Sequence, residues 1–133
     1  LNLKDKFGKT ALVYCVNKDQ IEATEFLLVH QPEVDSLDKF EWTPLMWAVK
    51  KDYFEIIKLL VEYKADINHK DDEGTPIIQY AVENESVDVV KFLIDKGVDI
   101  NVTDQYGLSP LVYALKTKNK AIVDLIRSAG GEY

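Results

Sequence analysis

The sequence predicts an all-α solenoid: four helix-turn-helix repeats set in a row and joined by β-hairpin-like loops. Asp5, Asp38, Asp71 and Asp104 recur every 33 residues. Leu12, Leu45, Ile78 and Leu111 keep the same interval, and so do Cys15, Ala48, Ala81 and Ala114. No insertion breaks the period. Self-similarity at this length marks one supersecondary unit stacked on itself, each unit too small to bury its own apolar face. A row of small units offers a long ridged surface and no deep pocket, so the function it favours is holding a partner.

The elements within a copy follow from local chemistry. Asp-rich stretches such as Asp71-Asp72-Glu73-Gly74 read as turns between copies. Thr43-Pro44 starts a helix, because Thr can cap it and Pro suits its first position. Phe54, Ile57, Leu60 and Val61 then recur at helical spacing and bury one stripe of a second helix. The repeats span about 5–37, 38–70, 71–103 and 104–133 within a single domain over 1–133. Leu1-Asn2-Leu3-Lys4 aligns with Ile67-Asn68-His69-Lys70, so residues 1–4 read as the tail of a preceding repeat and the chain as a piece of a longer array. In the fourth copy Lys120 follows Ile21, Phe54 and Val87, and Arg127 follows Leu28, Val61 and Ile94. Terminal repeats carry a polar outer face, so 104–133 reads as the carboxyl-terminal cap.

The second copy runs Asp38-Lys39-Phe40-Glu41-Trp42-Thr43-Pro44-Leu45-Met46-Trp47-Ala48-Val49, then Phe54-Glu55-Ile56-Ile57-Lys58-Leu59-Leu60-Val61, then Ala65-Asp66-Ile67-Asn68. This resembles the ankyrin repeat, whose pattern is D-x-x-G-x-T-P-L-H-x-A-A, an apolar helix, then G-A-D-V-N. The resemblance covers essentially the whole chain, with departures. Thr-Pro becomes Thr10-Ala11, Pro76-Ile77 and Ser109-Pro110 in the other copies. The hairpin glycine is kept at Gly8, Gly74 and Gly107 but is Glu41 in the second. The family's His, which hydrogen-bonds within the loop network, is replaced by Val13, Met46, Gln79 and Val112. Its inter-helix glycine is replaced by Asp19, Asp52, Glu85 and Lys118, where a left-handed backbone would cost Glu or Lys about 1 kcal/mol each.

Composition narrows the function classes. The formal net charge is −7, and the acid excess concentrates in the third copy. No apolar stretch is long enough to cross a bilayer and no signal peptide is recognisable, so the expectation is a soluble, cytoplasmic monomer. The single cysteine, Cys15, reads as a small buried hydrophobe in an alanine column. His30 and His69 fall in different columns with no ligands at metal spacing. No nucleophile–base arrangement and no phosphate loop is present, so neither catalysis nor a cofactor or metal is expected.

The resemblance implies that hairpin tips and first helices line a concave groove. The candidate partner-binding residues are Lys6, Phe7 and Tyr14 in the first copy, and Lys39, Phe40, Trp42, Trp47, Lys50 and Lys51 in the second. The third contributes Asp72, Glu73, Tyr80 and Glu83, and the fourth Tyr106 and Tyr113. The column Tyr14, Trp47, Tyr80, Tyr113 is aromatic in every copy. It reads either as a packing ladder between first helices or as a set of binding hot spots. Large apolar tips such as Phe40, Trp42 and Tyr106 need a neighbour or a partner. The leading reading is a non-catalytic interaction module for a protein or peptide. Its partner would present an acidic, apolar segment to the first two copies and a basic stretch to Asp72, Glu73 and Glu83. Extended nucleic acid is disfavoured by the acidic third copy. Two alternatives stay open: a small-molecule or nucleotide sensor using Trp42, Trp47, Lys50 and Lys51, and a structural or autoinhibitory segment of a larger protein.

Overall fold

The computed structural model describes residues 2–30 and 32–133. Leu1, at the head of the segment aligned with a repeat tail, lies outside the described residues, as does Gln31 of the first copy. Eight helices are present among the described residues: α1 (Ala11–Asn17), α2 (Ile21–Val29), α3 (Pro44–Lys51), α4 (Phe54–Glu62), α5 (Ile77–Glu83), α6 (Val87–Asp95), α7 (Pro110–Thr117) and α8 (Lys120–Ser128). They form four antiparallel pairs. The first helices stack as α1 on α3, α3 on α5 and α5 on α7; behind them α2 meets α4 and α6 meets α8. The rings of Phe54 and Phe92 bridge α4 and α6 edge to face, with centroids 5.7 Å apart.

Helix starts vary with the Thr-Pro pair. Thr43 accepts a hydrogen bond from the Met46 amide at 3.2 Å, ahead of Pro44 at the first helical position. Thr10 caps α1 through the Val13 amide at 3.4 Å. Pro76 cannot cap α5 with a side chain, and Ser109 instead donates to the Glu132 carbonyl at 2.6 Å. Between the helices of each pair, Asp19, Asp52, Glu85 and Lys118 take φ of 53°, 62°, 55° and 62°, the left-handed conformation expected where the family has glycine.

The column Leu12, Leu45, Ile78, Leu111 is buried throughout, and Ala48, Ala81 and Ala114 are completely buried beside it. Cys15 departs from the expectation set by that alanine column. It is only half-buried.

The hairpins share one bonding pattern. The amides of Asp5, Asp38, Asp71 and Asp104 donate to the carbonyls of Lys9, Trp42, Thr75 and Leu108, at 3.0–3.1 Å. Gly8, Glu41, Gly74 and Gly107 close each turn back onto the aspartate carbonyl at 3.0 Å. All four turn residues have positive φ, including Glu41 at 59°. Beyond an isolated Lys70–Pro76 bridge, the turns do not extend into strands among the described residues. Successive hairpins are stitched by Lys39 N to Phe7 O at 3.1 Å and Asp72 N to Phe40 O at 3.3 Å.

A second ladder ties the far side of the row. The side chains of Asn2, Asp35, Asn68 and Asn101 accept from the amides of Glu33, Asp66, Asp99 and Glu132 at 2.8–3.0 Å. Asp35 is the acid in this otherwise amide column. Burial pushes its carboxyl above the usual range, the Asp66 amide lowers it, and the nearby charges of Asp66 and Glu33 push it up again while His69 opposes them.

Candidate functional site

Each repeat's aspartate is held by the aromatic residue nine positions later. Trp47 Nε1 donates to Asp38 Oδ2 at 2.9 Å and the Tyr80 hydroxyl to Asp71 Oδ2 at 2.6 Å. The hydroxyls of Tyr14 and Tyr113 make the same bond to Asp5 and Asp104. The other carboxylate oxygen takes two hairpin amides, as Asp71 Oδ1 does from Glu73 at 2.9 Å and Thr75 at 3.0 Å. One carboxylate therefore fixes both the turn and the ring on the first helix, a charge-assisted network where the family's His is missing. The effects on titration follow. Tyr14's hydroxyl holds the Asp5 carboxyl low. Burial alone would raise Asp104, but the bonds from Tyr113, Leu108 and Tyr106 outweigh it and lower it. Burial and the Asp104 bond together push Tyr113 up to about 12. Tyr80 is raised further still, by burial first and the Asp71 bond second.

The anchoring places the rings in one register. At the junction of the second and third copies Trp42 sits between Trp47 and Tyr80, with ring centroids 4.6 Å and 5.1 Å away and planes tilted by 52° and 53°. These rings, with Phe40, Asp71, Asp72 and Glu73, line an open hollow of about 260 Å³. Lysines lie over the rings. Lys9 Nζ is 4.8 Å from the Trp47 centroid, Lys50 Nζ 5.2 Å from Tyr80 and Lys116 Nζ 5.1 Å from Tyr113. At the tips, Lys6 lies over Phe7 at 5.2 Å, and Lys39 lies 5.6 Å from Phe7 and 5.3 Å from Phe40. Such exposed cation–ring contacts are each worth about 0.5–1 kcal/mol, enough to order lysine stems along the groove.

Most of the candidate residues from the sequence thus fall into three groups. Phe40, Trp42, Trp47, Asp72, Glu73 and Tyr80 converge on one hollow. Lys6, Phe7, Lys39 and Tyr14 form an exposed neighbour group at the first hairpin, with Phe7 and Tyr14 each about two-fifths exposed (41% and 43%). Tyr106, 73% exposed, and the half-buried Tyr113 belong to the last hairpin and helix. Glu83 accepts from Gln79 of its own helix at 2.7 Å, and the exposed Lys51 reaches the Asn17 carbonyl at 3.4 Å. Sequence reasoning passed over the hairpin aspartates as functional scaffolding. The signal was present in the pairing of a recurring Asp with an aromatic residue nine positions on.

A family model for ankyrin repeats, built on three copies, matches residues 1–71 and again 63–133. The chain belongs to the ankyrin-repeat family. Ankyrin repeats are in general protein-interaction modules, and domains built from them are typically non-enzymatic. No curated protein shows a significant match to the chain. No helix among the described residues is long and apolar enough to cross a membrane.

Proposed function

We propose that this ankyrin-repeat chain is a non-catalytic interaction module, one domain over 1–133, that binds a partner protein or peptide along its concave groove. The observation that carries this reading is the open cluster of Phe40, Trp42, Trp47 and Tyr80, in which the buried carboxylates of Asp38 and Asp71 orient the Trp47 and Tyr80 rings. Preorganised aromatic surface loses little entropy on binding, and such residues dominate interface energetics. Lys6, Lys39, Lys50 and Lys51 favour an acidic, apolar segment across the first two copies. The three carboxylates beside the rings disfavour a nucleotide phosphate and count against the sensor reading. We place the module in the cytoplasm, as a monomer.

The test is a comparative capture from lysate with the wild-type chain and a Phe40→Ala, Trp42→Ala double variant, after matched melting curves. A protein retained by the first and lost by the second supports the groove. Equal retention by both assigns the contact to another face.

A further inference from the structure

The hollow between the second and third hairpins has a chemistry of its own. Its volume, about 260 Å³, lies below the roughly 300–1,000 Å³ of small-molecule pockets and suits a single side chain. Four rings wall it, those of Trp42, Trp47 and Tyr80 mutually tilted, and its lining includes three carboxylates and no basic residue. The Asp71 carboxylate is buried and already accepts from the Tyr80 hydroxyl and two hairpin amides, so it serves the wall. Asp72 and Glu73 are exposed, and their carboxylates are free to meet a ligand. The Asp72 amide bond to the Phe40 carbonyl, 3.3 Å, keeps these acids in fixed register with the rings of the neighbouring hairpin.

Rings in this cluster already attract cations: Lys9 lies over Trp47 and Lys50 over Tyr80. Trp42, between those two rings, has no lysine of this chain over it among the described residues. We propose that the hollow is an arginine-reading site for the bound partner: a peptide guanidinium stacks on Trp42 and pairs with Asp72 and Glu73. Arginine fits better than lysine for three reasons. Its head is planar and stacks on a ring, its fork of donors matches carboxylates, and its weaker hydration lowers the cost of entering a half-apolar hollow. The site deepens the interaction-module reading and rests on it. The partner would then carry one arginine beyond the acidic, apolar segment that faces Lys6, Lys39 and Lys50.

The test needs no partner. N-acetyl-L-arginine methylamide is titrated into the full chain while the indole N–H signals of Trp42 and Trp47 are followed by NMR. The lysine, citrulline and free-arginine counterparts are run beside it. Saturating shifts with the capped arginine, in the millimolar range, and none with citrulline are expected. The exposed double variant Asp72→Asn, Glu73→Gln should weaken the capped arginine by about three- to fivefold while leaving the melting curve unchanged. Trp42→Ala, checked for the same melt, should remove the Trp47 response. The proposal is overturned if no signal saturates, if citrulline or lysine matches arginine, or if free arginine binds much more tightly than the capped form, which would mark an amino-acid site. Failure here leaves the module reading to the capture experiment. Success here with no protein captured would retire the groove as a partner site and keep the hollow as a cation pocket.

Discussion

In α4 the columns that face the row are filled by Ile56, Ile57 and Leu60, all completely buried. The same columns in α2 hold Ala23, Thr24 and Leu27, of which only Thr24 is fully buried, and its hydroxyl has no hydrogen-bond partner. At the same time α2 exposes Ile21, Phe26 and Val29, at 41%, 62% and 52%. Both helices have the length and periodicity of the repeat, yet α2 fully buries one apolar side chain, Leu28, against three in α4, and carries a buried polar group that costs stability. Period makes the fold; residue size in the buried columns decides how firmly each unit is held. In a row whose units stabilise only their neighbours, the first pair should be the first to open.

The largest expected effect separates these two helices directly. Leu60→Ala should destabilise the array by about 2–5 kcal/mol, because a central, fully packed side chain leaves a cavity. Leu27→Ala, one repeat earlier and half-buried, should cost about 1 kcal/mol. Urea melts of the two variants give the energies, and native-state hydrogen exchange should show the amides of α1 and α2 least protected in the wild type. Equal energies, or uniform protection along the row, would break the comparison.

The same contrast applies to the aspartate–ring anchors. Asp71 is 7% exposed and Tyr80 donates to it, whereas Asp5 and Tyr14 sit in solvent. Tyr80→Phe strands a buried carboxylate oxygen and should cost about 1–3 kcal/mol. Tyr14→Phe removes an exposed bond that water replaces, and its melt should overlay the wild type. If both variants lose the same stability, burial does not control these anchors.

The legible part of this molecule is what a period can encode. The four helix pairs and the Thr43 cap follow from columns read against helix and turn chemistry, and the left-handed backbone at Asp19, Asp52, Glu85 and Lys118 from the resemblance to the ankyrin repeat, whose glycine they replace. The half-exposure of Cys15 could not be read from its column, because a column records residue type and not what packs over it. The ring column left packing and binding open for a related reason. Its Tyr and Trp tips bond to aspartates nine residues away, a contact made by the hairpin folding back over the helix. The meeting of Trp42 with Tyr80 from the next repeat is likewise a product of stacking distance, which the sequence specifies only through the assembled row.

The smallest effect tests the far-side ladder, where one repeat differs from its neighbours in a single charge. Asn2, Asn68 and Asn101 accept a backbone amide as neutral side chains, and Asp35 does so as an acid. Burial raises the Asp35 carboxyl in the folded state, the Asp66 amide pulls it back, and the charges of Asp66 and Glu33 add to the rise against that of His69. An acid whose folded pKa exceeds its unfolded value weighs against the fold wherever it is ionised. That penalty is full above the folded value and fades as pH falls through it toward the unfolded one. Asp35→Asn keeps the oxygen that accepts from Asp66 and removes the charge. It should therefore stabilise the chain at neutral pH by no more than about 1 kcal/mol, since the site is half-open to solvent screening. The gain should shrink as pH drops through the upper carboxylate range, until the protonated wild type melts with the variant. A gain that persists unchanged in acid would mean that the amide donors brought in by the substitution stabilise the ladder, and that loss of the Asp35 charge does not.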